Sequence, residues 1–248
     1  MSNSVHIELL ALDVNMFGTP SRIHPVLIWD DKEATLVDAG YPGMFPQLQK
    51  AVEDAGIPFA KIKRIIITHQ DWDHIGTLPD ILEARNGEAE IYAHADEKPY
   101  IEGTLPYIKM TPEKIAARLQ SIPEDLRPKA SALFASIPTA RVNRTVSDGE
   151  ILPFHGGLKV IHTPGHTPGH ICLFAKSHRL LIAGDQLRVE NGILVGPAEI
   201  YTPDMPTALK SLAKLAEYDI DRVYCYHGGL YAPNAAARIR ELANTGSE

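Results

Sequence analysis

The sequence predicts an α/β protein of four layers, αββα: two β-sheets packed face to face, helices on both outer faces, and one helical insertion. Three observations predict it. Each half of the chain runs β-hairpin, helix, strand in that order. The strands are short β-branched runs such as Ile65-Ile66-Ile67, bounded by turn residues. The plan breaks once, over residues 96–144, where Pro-interrupted helical pieces replace it. A chain of 248 residues fits one domain with a large core, so residues 1–248 read as a single domain with the insertion inside it.

In the first half, residues 5–14 read as a strand. Pro25-Val26-Leu27-Ile28-Trp29, the turn Asp30-Asp31-Lys32-Glu33 and Ala34-Thr35-Leu36-Val37 read as a hairpin that ends in Asp38-Ala39-Gly40. Residues 45–55 have helical periodicity, and Gly56 stops them. Residues 63–68 form a strand whose C-terminal end delivers His69; a helix over 77–85 and a strand over 90–93 follow. In the second half, 158–162 is a strand. Residues 171–175 and 180–183 pair across Lys176-Ser177-His178-Arg179, and Gly184-Asp185 ends that hairpin. A helix over 205–217 leads to a strand over 222–226 that delivers His227, and 234–243 is the terminal helix. The insertion has helical pieces near 112–121 and 128–136. Its apolar residues Tyr100, Leu105, Tyr107, Ile108, Met110 and Phe134 fit a lid over a substrate pocket, or a face packed on the body or on a second subunit of a homodimer.

Composition narrows the function classes. Hydrophobic residues make up 44%, and no apolar run approaches the ~20 residues that span a membrane. Net charge is −7 without a Lys/Arg cluster, which argues against a nucleic-acid surface and leaves a small molecule as the expected substrate. The N-terminus lacks a basic stretch followed by an apolar core, so no secretory signal is expected. Cys172 and Cys225 have no CxxC spacing and read as buried thiols, consistent with a cytoplasmic location. Gly-x-Ser-x-Gly and Walker-type motifs are absent.

The chemistry sits in His69-Gln70-Asp71-Trp72-Asp73-His74, four metal-ligand types within six residues. His166, Asp185 and His227 follow at predicted strand ends or in a Pro/Gly loop. Imidazole with carboxylate suits Zn, Mn or Fe. Seven ligands exceed one tetrahedral ion and suit two ions sharing a bridge. His162, His166 and His170 are spaced by four, but Pro164, Gly165, Pro168 and Gly169 forbid a regular helix, so His162 and His170 read as structural. His6, His24, His94, His155 and His178 get the same reading.

Taken together, Leu36-Val37-Asp38-Ala39-Gly40, the His69–His74 cluster, the loop from His162 to His170, Ala183-Gly184-Asp185 and His227-Gly228 resemble the metallo-β-lactamase superfamily. The resemblance implies a metal-dependent hydrolase with two divalent ions, zinc first, manganese or iron as alternatives. It implies His69, Asp71 and His166 at the first ion, Asp73, His74 and His227 at the second, Asp185 bridging, and Asp38 as a buried hydrogen-bonding acid. A metal-bridging hydroxide would attack an ester-type carbonyl, with Asp73 or Asp185 accepting its proton; the leading expectation is an acyl-lactone hydrolase. Phosphodiester or organophosphate hydrolysis is an alternative, and a diiron oxidoreductase or a non-catalytic metal-binding module are alternatives of another class. The family pattern is His-x-His-x-Asp-His, so Asp71 departs from it. The extra carboxylate makes the expected site one unit less positive than a His-based one, and its water correspondingly less acidic.

Overall fold

The computed structural model describes residues 4–245; residues 1–3 of the stretch read for a signal lie outside them. The first half gives β1 (His6–Leu9), β2 (Leu12–Met16), β3 (Thr19–Ile23), β4 (Val26–Trp29), β5 (Ala34–Val37), α1 (Phe45–Asp54), β6 (Ile62–Ile66), α2 (Trp72–Ile75), α3 (Leu78–Ala84) and β7 (Glu90–His94). The insertion adds α4 (Lys98–Ile101), α5 (Pro112–Ser121) and α6 (Arg127–Ala135). The second half gives β8 (Arg144–Val146), β9 (Ile151–Leu152), β10 (Leu158–His162), β11 (Ile171–Ala175), β12 (Leu180–Ile182), β13 (Arg188–Glu190), β14 (Ile193–Val195), α7 (Met205–Leu215), β15 (Arg222–Cys225), β16 (Gly229–Tyr231) and α8 (Ala235–Thr245).

Two six-stranded sheets form, ordered β1-β4-β5-β6-β7-β8 and β16-β15-β12-β11-β10-β9. The same unit occurs in each. An antiparallel hairpin (β4 with β5, β11 with β12) is followed by a parallel neighbour, β6 beside β5 and β15 beside β12. Parallel strands end on the same side. Asp38 and His69 therefore leave one sheet together, and Asp185 and His227 leave the other.

Alternation of side chains gives each strand two apolar faces. Val26, Ile28, Val37 and Ile66 meet Val160, Ile171, Leu173 and Ile182 between the sheets. Leu27, Leu36 and Ile65 turn outward to Leu48, Val52 and Ile81 of the first helical layer. Cys172, Phe174 and Val223 turn outward to Leu212, Leu215 and Ile239 of the second. These three apolar layers make the αββα sandwich. Among the described residues no helix is long and apolar enough to cross a membrane.

The strand expected over 5–14 divides. β1 pairs with β4, whereas β2 pairs with β3 as a separate ribbon. The cause is the Phe17-Gly18 turn, where both residues adopt positive φ (53° and 88°), the geometry of a tight hairpin. A second ribbon, β13 with β14, turns at Asn191-Gly192 with φ of 51° and 77°. Both ribbons overhang the rim where the strand ends converge.

Candidate metal centre

Local backbone geometry assembles the rim. Asp71 is extended at the residue before α2, and the single turn of α2 swings Asp73 and His74 inward, with His74 N–H on Asp71 C=O at 2.8 Å. This turn is fastened to the end of β5: Ala39 N–H reaches His74 C=O, and Gly76 N–H reaches Gly40 C=O, both at 2.7 Å. A Cβ at Gly76 would strike the backbone of Gly40, Tyr41 and Pro42, so only glycine allows that approach. The loop before β11 is pinned at its base by Thr163 N–H on His170 C=O, 2.8 Å.

All seven predicted residues converge, in two groups. His69, Asp71, His166 and Asp185 form one; Asp73, His74 and His227 form the other. In the first, Asp71 Oδ2 lies 3.3 Å from His69 Nε2 and 3.2 Å from His166 Nε2, and Asp185 Oδ2 lies 3.3 Å from His166 Nε2 and 4.0 Å from His69 Nε2. Donors held by one tetrahedral ion at its usual bond lengths stand about 3.3–3.4 Å apart. In the second, His227 Nε2 is 3.3 Å from Asp73 Oδ2, and His74 Nε2 is 3.7 Å from it. Asp185 joins both groups, its Oδ1 3.2 Å from His74 Nε2 and its Oδ2 3.4 Å from His227 Nε2.

Hydrogen bonds behind the imidazoles fix their tautomers. Thr68 Oγ1 donates to Asp38 at 2.9 Å and so accepts from His69 Nδ1 at 3.0 Å. Asp38 Oδ2 accepts from His74 Nδ1 at 3.0 Å. Thr202 Oγ1 donates to Ala198 C=O and so accepts from His166 Nδ1 at 3.3 Å. Each Nε2 therefore carries the ring's lone pair and faces inward. His69 Nε2, His74 Nε2 and Asp185 Oδ1 are buried without a hydrogen-bond partner. With His74 neutral, Nε2 and Asp185 Oδ1 are two acceptors face to face at 3.2 Å, an arrangement satisfied by a proton or a metal ion between them. The residues present thus fit divalent ions.

Electrostatics point the same way. Burial disfavours charge on His227, but Asp185 and Asp73 outweigh it and raise its pKa to about 10. Burial also opposes charge on His74, and Asp38, Asp185 and Asp73 still push it well above the usual imidazole range. His69, buried and beside His74, is pushed down to about 4.

Two contributors were invisible in the sequence. Glu97, fully buried at the start of the insertion, accepts Gln70 N–H at 2.7 Å and Gly169 N–H at 2.6 Å, tying the two ligand loops together. Burial lifts its carboxyl above the ordinary range. Lys109, 7% exposed, places Nζ 2.6 Å from both Asp71 Oδ2 and His166 Nε2. Its positive charge beside Asp71 corrects the charge count drawn from the ligands alone. An insertion lysine carries no local motif, and only the fold brings it within reach.

The structure places the remaining histidines elsewhere. His170 accepts Asp185 N–H on Nε2 at 3.1 Å, and its Nδ1 meets Thr163 Oγ1 at 2.8 Å, which leaves no lone pair for an ion. His94 and His162 approach Asp96 as a third cluster. Their rings stack at 4.1 Å and 9°, so their in-plane lone pairs run parallel and do not converge on one ion.

A cavity of about 730 Å³ opens over the two groups. Met16, Phe17, Tyr41 and Trp72 from the body and Tyr107, Met110 and Phe134 from the insertion wall it, and Arg118 of α5 faces it. Trp72 serves both pocket and core, edge-on to Tyr41 and Phe134 at 5.2 and 5.3 Å.

The metallo-beta-lactamase superfamily model matches residues 18–227. A probable metallo-hydrolase, YflN, of Bacillus subtilis (strain 168) is 33% identical over 222 residues, 84% of this chain and 81% of that one. The hydroxyacylglutathione hydrolase GloC of Haemophilus influenzae is 26% identical over 208 residues, 83% of this chain and 84% of that one. A solved metallo-beta-lactamase family protein from Thermus thermophilus superposes with a TM-score of 0.71 at 24% identity, over 97% of this chain and 79% of that one.

Proposed function

Since this chain belongs to the metallo-β-lactamase superfamily and is a metal-dependent hydrolase, we propose that it uses two divalent ions to hydrolyse an ester- or lactone-type small molecule, an acyl lactone first. The observation that carries the reading is the pair of ligand groups sharing Asp185 at the floor of an apolar-walled cavity. In this reading His69, Asp71 and His166 would hold one ion, Asp73, His74 and His227 the other, and Asp185 would serve both groups; zinc suits this donor set best, with manganese and iron next. Bound ions would supply a water acidic enough to ionise near neutral pH and a Lewis acid for the acceptor oxygen.

The chain's own residues do the rest. In this reading Asp73 or Asp185 would take the water's proton. Trp72, Phe134 and Met110 exclude solvent and receive the acyl part. Arg118, without an ion-pair partner among the described residues, offers its guanidinium donors to an oxygen of the substrate. The two buried, free cysteines go with a reducing cytoplasm.

A second reading, hydrolysis of a thioester with an acidic thiol part, is favoured by the similarity to the hydroxyacylglutathione hydrolase and by Arg118 at the cavity. Turnover of metal-loaded protein on acyl lactones, aryl esters, glutathione thioesters and phosphodiesters tests both. We expect lactone or ester activity that Asp185→Asn removes, and Arg118→Ala to raise KM with little change in kcat. Preference for the glutathione thioester selects the second reading, and phosphodiester turnover alone overturns both.

A further inference from the structure

We propose that Lys109 is a positioning residue of the first metal site, and that the Asp71–Lys109 pair stands in for the imidazole the family pattern places at residue 71. The inference rests on the dinuclear reading above. A carboxylate alone would change the charge of the donor set by one unit. Lys109 returns that unit on the same oxygen, Asp71 Oδ2, that faces His69 and His166. The pair is formally neutral, as an imidazole is.

Placement supports this over a chance surface ion pair. Nζ is buried and 2.6 Å from Asp71 Oδ2, a charge-assisted hydrogen bond. The two residues before Lys109 are held: Ile108 N–H donates to Gln70 Oε1 at 3.3 Å, and Tyr107 Oη donates to Pro138 C=O at 2.7 Å. Gln70 lies between His69 and Asp71 in sequence, so the insertion is registered on the ligand loop itself. Lys109 pairs with Asp71 but not with Asp185, the carboxylate on the opposite side of the first group. The ammonium therefore sits on the Asp71–His166 edge of the group, away from Asp185.

Lone-pair counting states what the lysine does to an incoming ion. Asp71 Oδ2 has lone pairs for both an ion and Nζ–H. His166 Nε2 has one, because Nδ1 already donates to Thr202. Ion binding and the Lys109–His166 hydrogen bond are mutually exclusive, whereas the Lys109–Asp71 bond can persist. Lys109 thus lowers the affinity of the Asp71 site, by repulsion and by competition for His166, and orients Asp71 Oδ2 toward the ion.

Metal binding to the apo protein tests this without reference to turnover. Zn²⁺ is titrated against a chelating dye, and the Asp71 site is identified as the ion lost in Asp71→Ala. Lys109→Met, unbranched, one atom shorter and uncharged, is expected to tighten that ion by about tenfold or more. Lys109→Gln should do the same, which covers a Met that packs poorly. Lys109→Arg should restore wild-type affinity to within about threefold, since it keeps the charge. Asp71→His combined with Lys109→Met should return close to wild type, one neutral donor set replacing another. Unchanged or weaker binding in folded Lys109→Met and Lys109→Gln overturns the proposal, because a merely structural lysine would loosen the site. Wild-type protein that holds no ion overturns the dinuclear reading itself, and the lysine's role with it.

Discussion

Asp38 shows how much of the centre is decided by a residue that touches no substrate. It sits in the left-handed region at φ 61° and is 2% exposed, a conformation that costs an ordinary residue about 1 kcal/mol or more. The return is that one carboxylate serves Thr68 N–H, the Thr68 hydroxyl and His74 Nδ1 at once. Through Thr68 it also sets the tautomer of His69. Asp38→Asn keeps the size and the tolerance of positive φ. It turns an N–H₂ toward His74 Nδ1, which then favours the tautomer with its proton on Nε2, facing the ligand group. The substitution is expected to leave the fold intact and weaken metal binding by about 10–100-fold, read by chelator competition on the purified variant. An unchanged affinity would show that the tautomer is set elsewhere.

Between elements, the insertion grips the ligand loops through Glu97. Its two oxygens take backbone N–H groups from the loop after β6 and the loop before β11. Glu97→Ala strands both donors away from water, and about 3 kcal/mol of stability should go with them. We expect the melting temperature to fall by several degrees and both ions to bind more weakly, with Glu97→Gln retaining more of each because its amide oxygen still accepts one N–H. A Glu97→Ala protein as stable as wild type would mean that water replaces the carboxylate. Legibility in the sequence follows from the range of the interaction. The hairpins at 25–37 and 171–183 were readable because apolar alternation and turn residues are local, and the helices over 112–121 and 205–215 fall where periodicity put them. The Phe17-Gly18 hairpin was missed because Phe is a poor signal for positive φ. Glu97 and Lys109 were missed because their partners are 27 and 38 residues away in the chain, a relation no spacing rule encodes. The candidate ligand residues stood out for the opposite reason: four of the seven are crowded into one loop.

At the scale of the whole molecule, the two half-sheets bring like-charged carboxylates and raised imidazoles to one rim, and protons hold them together until ions do. His227 titrates near 10 in the folded apo protein, with His74 and His166 also above the ordinary imidazole value of about 6.5. A group raised in the fold contributes stability that is fully present below its unfolded pKa and is lost as pH climbs through the folded one. These three therefore make the apo protein less stable from about pH 6.5 upward, and through His227 the loss extends toward pH 10. His69, depressed to about 4, acts in the opposite sense and only on the acid side, where its stability is lost as pH falls below about 6.5 toward its folded value. An ion needs the bare lone pair on each imidazole, so binding must expel the protons of His74 and His227. Affinity should rise with pH past 6.5 instead of levelling there, and the metal-induced gain in melting temperature should widen from pH 6.5 to 8.5. Calorimetric titration of apo protein with Zn²⁺ at pH 7, repeated in buffers of different ionisation enthalpy, counts the protons. More than one released per protein is the expected result; none would mean that the imidazoles are already neutral and that the carboxylates of the rim are not what holds them charged.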